Sequence, residues 1–268
     1  MCSENVLKEI PPFIGIIGGV GPSAGLDLVQ KIFANTIAVR DQDHLNCMLV
    51  SCPSLIPDRT AYLLQNNQEE SENPAFGLFD SAQRLYNAGV RLAAVGCNTA
   101  HADRIFTVFL DMVRGSLPDL RIVNMLETCA AYVKESLRIS SLGLLAAKGT
   151  YKSGVYHEYF RREEGFLLIE PDIAGQERIH QAIFDKNFGI KAQSQPVTLQ
   201  ATSLIKDEIL QLINRGAKAV ILGCTELPLA IQTQNIPVPV IDPGLLTARK
   251  LIALSAPEKL LPWLPEAG

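Results

Sequence analysis

No hydrophobic run in this chain is long enough to cross a bilayer. The longest, Ala217 to Cys224, is interrupted by Lys218 and falls far short of the ~20 residues a spanning helix needs. The opening stretch, Met1 to Pro12, carries Glu4, Lys8 and Glu9 and lacks an apolar core of signal-peptide length. A soluble, cytoplasmic protein without membrane contact is expected. There is no basic excess either: 24 Lys and Arg stand against 28 Asp and Glu, a net charge of −4. The densest basic pair, Arg161-Arg162, is followed at once by Glu163-Glu164, so no field invites nucleic acid. Six cysteines form no CxxC pair, and only four histidines are scattered along the chain, which removes a structural zinc site or a redox dithiol. In the cytoplasm the six are reduced thiols. Low-complexity tracts are absent, and 47% hydrophobic with 19% charged residues is ordinary globular composition. A length of 268 residues suffices for one large domain or two of ordinary size.

What is present is an alternation of short apolar strands and amphipathic helices. Strands are expected at Phe13–Ile17, Cys47–Ser51, Arg91–Val95 and Leu120–Val123. Helices are expected from the Gly-rich turn after Ile17 to about Val39, up to Ala88-Gly89, after His101, and over Thr128–Leu137. The pattern then restarts. Ser141-Leu-Gly-Leu-Leu-Ala-Ala147 resembles Phe13-Ile-Gly-Ile-Ile-Gly-Gly19, with Gly143 lying 128 residues after Gly15. Asn87 to Cys97 resembles Asn214 to Cys224, with Gly89/Gly216 and Cys97/Cys224 each 127 residues apart. Anchors at one offset imply an α/β fold of two similar lobes, each a mostly parallel sheet flanked by helices, related by a pseudo-two-fold axis. The division falls between residues 1–139 and 140–268, with room for the C-terminal helix to pack back on the first lobe. Gln193 to Thr198 reads as a loop between helices of the second lobe.

Each half ends a buried strand in Gly-Cys: Val95-Gly-Cys-Asn-Thr-Ala-His101 and Leu222-Gly-Cys-Thr-Glu226. Ligands of open α/β sheets bind beyond the carboxyl ends of strands, where these turns lie. A single cysteine after an apolar strand is usually a small hydrophobic filler. Two of them at the repeat spacing, each beside a hydroxyl (Thr99 and Thr225), point to chemistry instead. Cys2, Cys47, Cys52 and Cys129 have no such counterpart and are assigned to packing. Inverting a Cα centre needs a base on one face and an acid on the other. A thiol, ordinarily near pKa 8.5, is brought towards neutrality by modest environmental help, and opposed lobes suit mirror-image substrates.

At this point the chain resembles the aspartate/glutamate racemase family, and within it the aspartate racemase branch. The resemblance runs from Gly15-Ile-Ile-Gly-Gly-Val-Gly-Pro22 to Val240-Ile-Asp-Pro243. It is carried by Asp41-Gln-Asp-His44, Ile56-Pro-Asp-Arg-Thr60, Cys97-Asn-Thr-Ala-His101, Asn124-Met-Leu-Glu127 and Gly223-Cys-Thr-Glu226. It implies a racemase that needs no cofactor, pyridoxal included, with Cys97 and Cys224 as proton acceptor and donor and the site in the cleft between lobes. It implies that Arg59 binds a substrate's side-chain carboxylate and that Asn98, Thr99 and Ala100 bind substrate beside Cys97, with Thr225 and Glu226 in the equivalent corner. It also implies a small amino-acid substrate, aspartate favoured, and a homodimer.

The residues themselves leave alternatives open. Arg59 is equally suited to pairing with Asp58 or capping a turn. His101 and His180 titrate near neutrality, but lone histidines are more often hydrogen-bonded structural residues. Gly25 and Lys148 depart from residues common in the family, and the family's substrate-binding lysine matches neither Lys186 nor Lys191 cleanly. Glutamate, or a broader set of amino acids, is the alternative substrate reading. A non-catalytic amino-acid sensor is the alternative of a different class. A dinucleotide site at Gly15–Gly25 is disfavoured, because Pro22 interrupts the motif and the second strand ends without a ribose-binding acid.

Overall fold

The computed structural model describes residues 12–65, 72–161, 165–231 and 236–263. Cys2 and the opening stretch to residue 11, like Arg162, Glu163 and Glu164, lie outside the described residues. In the first half β1 (Ile14–Ile17), α1 (Pro22–Ala34), β2 (Cys47–Val50), α2 (Arg59–Leu64), α3 (Pro74–Asn87), β3 (Leu92–Val95), α4 (Asp103–Ser116), β4 (Arg121–Val123) and α5 (Met125–Tyr132) follow in order. The second half contributes β5 (Ser141–Ala146), α6 (Lys148–Ser153), α7 (Val155–Arg161), β6 (Leu167–Ile169), α8 (Ile173–Phe184), α9 (Leu199–Asn214), β7 (Ala219–Gly223), β8 (Val240–Ile241) and α10 (Pro243–Ser255). All strand pairings within the two sheets are parallel, in orders β2-β1-β3-β4 and β6-β5-β7-β8. The two orders are the same walk through four strands, so the repeat in the sequence is a repeat in the fold. Among the described residues no helix is long and apolar enough to cross a membrane.

The repeated glycines have physical reasons. Gly15 and Gly143 sit in the central strands β1 and β5, where a Cβ would lie 3.1 Å from Leu85 of α3 and 3.1 Å from Leu212 of α9 respectively. Their absence of a side chain lets the helix before each Gly-Cys strand press onto the sheet. Gly89 (φ 95°) and Gly216 (φ 100°) end α3 and α9 in the left-handed region. Each allows the next residue's N–H to return to the helix: Val90 to Leu85 and Ala217 to Leu212, both at 3.0 Å. β1, β5 and β7 are almost wholly buried, as strands covered on both faces must be. Side-chain caps set the helix starts, with Asp58, Asn73, Asn124, Asp172, Thr198 and Asp242 each accepting a first-turn N–H.

Two expected helices differ at their ends. The first stops at Ala34, five residues short of Val39, because Ile37 N–H leaves the helix to bond Lys259 O at 2.7 Å. The helix expected over Thr128–Leu137 begins earlier, at the Asn124 cap, and closes with a wide turn, Val133–Leu137, before Arg138 at φ 52°.

The halves exchange their last helices. α5 carries Leu126, Cys129 and Ala130, and the turn after it Val133, onto the second sheet, against Leu142, Leu144 and Ile221. Reciprocally, α10 carries Ala248, Leu251 and Ile252 onto the first sheet, against Ile14, Ile16, Leu28 and Ile32. An ion triad fastens this exchange: Lys31 of α1 pairs with Asp27 and, at 2.6 Å, with Asp242, the cap of α10. The assignment of Cys129 to packing holds, since it is fully buried in apolar surroundings that push its thiol up.

Candidate active site

β3 and β7 are the strands beside the central strand of each sheet, and both deliver their Gly-Cys corner at the carboxyl edge. Cys97 and Cys224 are buried, at 6% and 7% exposure. The corners touch across the halves: the Thr225 hydroxyl donates to Gly96 O at 3.4 Å. Tyr156 of α7 links both. Its hydroxyl donates to Asn98 Oδ1 at 2.7 Å, and its ring lies where a Cβ on Gly223 would come within 3.1 Å. That bond leaves Asn98 Nδ2 buried and without a partner among the described residues, a pair of N–H donors held ready beside Cys97. Thr99 and Thr150 share a hydroxyl hydrogen bond of 2.8 Å across the halves, and Ala100 is fully buried behind them.

His101 serves the corner as structure. Its Nδ1–H donates to Cys97 O at 2.8 Å and its Nε2 accepts from Met125 N–H at 3.3 Å. Burial pulls its pKa down from 6.5 to about 4, so the ring is neutral at physiological pH. His180 stacks on Phe184 at 4.6 Å, and neither it nor His101 lines the cavity described next.

A cavity of about 280 Å³ reaches the second corner at Glu226 and is lined besides by Gly19, Gly21, Asp58, Arg59 and Lys191 among others; neither Cys97 nor Cys224 is in its lining. Arg59 does not pair with Asp58, which caps α2 by accepting from Ala61 N–H at 2.7 Å. The Arg59 guanidinium donates instead to Val20 O at 2.8 Å and Pro57 O at 3.3 Å, and it has no ion pair among the described residues. Two carbonyls hold a buried cation against the cavity with its charge unanswered, an arrangement suited to an incoming carboxylate.

Of the two lysines left open, the loop after α8 brings one to the cavity. Asp185 Oδ1 accepts from Asn187 and Phe188 N–H (2.7 and 3.1 Å), and Lys191 N–H returns to Ile183 O at 3.0 Å. Both lysines are exposed, but only Lys191 lines the cavity. Ser194 of the same loop meets Ser23 at 3.1 Å, closing the loop over the first half. Lys191 Nζ bonds Glu226 Oε1 at 2.6 Å, and Glu226 Oε2 accepts from Cys224 Sγ–H at 2.9 Å. Burial pushes the Cys224 thiol well above its ordinary value; Glu226 adds to the rise and Lys191 opposes it. Burial alone would lower Lys191, but Glu226 outweighs it and holds the ammonium charged.

Other positions singled out in the sequence lie elsewhere. Asp41-Gln-Asp-His44 forms a turn in which Asp43 pairs with Arg40 at 2.8 Å, away from the cavity. Asn124 heads α5 as its cap and bonds Tyr159. Lys148 pairs with Glu177 of α8. Gly25 faces Leu49, where a Cβ would lie 3.1 Å from its Cδ1. Tyr156 and Thr150 were not anticipated as site residues; their role comes from α6 and α7 packing on the other half.

Two parallel sheets of identical order, meeting at paired Gly-Cys corners beside a cavity lined by Arg59 and Lys191, make this a two-lobed α/β racemase fold. Residues 17–251 match the model of the Asp/Glu/hydantoin racemase family, and the chain belongs to that family. It is an isomerase, an amino-acid racemase. Among solved structures it is similar to an aspartate racemase from Picrophilus torridus, with 28% identity, 94% of this chain and 96% of that one covered, and a TM-score of 0.77. An aspartate racemase homologue from Pyrococcus horikoshii OT3 gives 25% identity, 92% and 100% coverage, and a TM-score of 0.68. In sequence it is 25% identical over 250 residues to the broad specificity amino-acid racemase RacX of Bacillus subtilis (strain 168), covering 90% of this chain and 96% of that protein.

Proposed function

We propose that the protein interconverts L- and D-aspartate by two-base proton transfer at Cα, with Cys97 and Cys224 as the opposed acid and base and no pyridoxal cofactor. The observation that carries this reading is the junction of the two Gly-Cys corners, joined by Thr225 to Gly96 O, beside a cavity that holds both Arg59 and Lys191. One thiolate removes the Cα proton and the other thiol delivers one to the opposite face; the roles exchange with direction. Asn98 Nδ2, unpartnered in a buried corner, is suited to the α-carboxylate, where a charge-assisted hydrogen bond gains most. Arg59 and Lys191 suit the side-chain carboxylate. Thr99, Ala100 and Thr225 shape the walls between the thiols. Likeness to the Picrophilus aspartate racemase supports the substrate, and the Bacillus relative's name keeps a broader range in view.

The test is incubation of the purified chain, without added cofactor, with L-aspartate, L-glutamate, L-alanine and L-serine, followed by chiral chromatography. Accumulation of D-aspartate well ahead of the other D-isomers is expected. Equal rates across the four would replace aspartate with broad specificity, and D-glutamate alone would replace it with glutamate.

A further inference from the structure

One buried carboxylate, Glu226, is divided between an ammonium and a thiol. Its Oε1 takes Lys191 at 2.6 Å and its Oε2 takes the Cys224 S–H at 2.9 Å. Only 3% of Glu226 is exposed. A Cβ on Gly21 would lie 2.3 Å from Oε1, so the backbone of the first half packs closely against that oxygen. Lys191 is the movable partner. Its side chain keeps 27% exposure towards the cavity, and Arg59 lines the same cavity.

Building on the racemase reading, we propose that Glu226 is a charge-gated proton station for Cys224, and that the second carboxylate of a dicarboxylic substrate is what opens the gate. While Lys191 holds Oε1, Glu226 is a stabilised anion and only accepts the hydrogen bond, so Cys224 rests as a thiol. A substrate carboxylate drawn to Arg59 competes for the Lys191 ammonium. Once Lys191 turns to it, Oε1 of the buried Glu226 carboxylate is left without its cation. The proton 2.9 Å away then moves from sulfur to oxygen. Cys224–SH and Glu226–COO⁻ become Cys224–S⁻ and Glu226–COOH: one S–H bond breaks, one O–H bond forms, and total charge is unchanged. The other titratable groups near Cys224 are Tyr151 of α6 and Tyr156 of α7, both pushed by burial above their ordinary values and neutral throughout. The gate thus ties the side-chain charge of the substrate to the making of the base. An amino acid with one carboxylate, committed to the Asn98 corner, leaves Lys191 on Glu226.

The test follows the Cys224 thiolate by its ultraviolet absorbance in a Cys97→Ser background, subtracting the Cys97→Ser/Cys224→Ser double variant. The probe is succinate, a dicarboxylate without an α-amino group, added until its thermal shift saturates; propionate is the control. Succinate is expected to raise the thiolate signal and propionate to leave it unchanged. Glu226→Gln, in the same background, is expected to show a higher resting signal and no rise, and Glu226→Asp to regain part of the response. In turnover, Glu226→Gln is expected to lower kcat on aspartate about 100-fold without raising KM, since Lys191 is released rather than lost. An unchanged signal with succinate, failure of succinate to bind, or a Glu226→Gln response equal to that of the parent would overturn the gate. The thiolate signal needs no turnover. A chain inactive on aspartate yet responsive to succinate would refute the substrate reading alone, and an active one with an unresponsive thiolate would refute the gate alone.

Discussion

Lowering the pH from neutrality to about 4 is expected to remove roughly 3 kcal/mol of stability through His101 alone. Both ring nitrogens are committed in the neutral form, Nδ1–H to Cys97 O and Nε2 to Met125 N–H. Protonation would set one N–H against another and place a charge in a fully buried pocket. The unfolded chain takes up this proton near pH 6.5, the folded chain only near 4. Between those values the unfolded state binds more protons, so stability is full above 6.5 and declines as the pH falls towards 4. A tenfold change in binding is worth ~1.4 kcal/mol, and the gap between 6.5 and about 4 gives the ~3 kcal/mol quoted. The assay is urea unfolding at a series of pH values for the parent and for His101→Gln, which stays neutral throughout. Carboxylates elsewhere titrate equally in both proteins and cancel in the difference. The parent's stability is expected to fall towards, or below, that of the variant as the pH drops. Parallel curves would refute the hydrogen-bonding account of the Cys97 corner.

Two further perturbations probe the site and its frame. Arg59→Ala is expected to raise KM for aspartate about 100-fold, the loss of a charge-assisted bidentate contact, while changing alanine or serine turnover little; equal losses on both would make Arg59 structural. Lys31→Met leaves Asp27 and Asp242 facing each other without their cation and is expected to cost about 3 kcal/mol in urea unfolding, with the largest loss of hydrogen-exchange protection in α1 and α10. A change below about 0.5 kcal/mol would show that the triad does not fasten the helix exchange.

How much of this could be read from the residues depended on how local each cause was. The strands were legible because parallel strands covered on both faces must be runs such as Ile14-Gly-Ile-Ile17 and Ala219-Val-Ile-Leu222. The repeat was legible because Gly15, Gly89 and their partners answer to backbone sterics that no other residue meets. The exchange of α5 and α10 was not anticipated for α5, since an amphipathic face says that a helix packs but not which sheet it covers. Lys191 stayed unresolved because the loop after α8 has no period; its direction comes from Asp185 capping a reversal and Lys191 N–H returning to Ile183. The Asp41–His44 stretch, which carries the resemblance without an assigned contact, is a turn in which Asp43 pairs with its neighbour Arg40. Tyr156 reaches Asn98 across 58 residues of sequence, a contact that only the meeting of the halves creates.

The central claim is that two thiols, one from each half, exchange the Cα proton. It is tested most directly by proton NMR of L-aspartate in heavy water with the parent, Cys97→Ser and Cys224→Ser, no cofactor added. The parent is expected to wash the α-proton out while optical rotation decays, and each serine variant to lose racemisation by at least about 100-fold with its fold intact. Full racemisation by either serine variant, or no α-proton exchange by the parent on any amino acid tried, would contradict it.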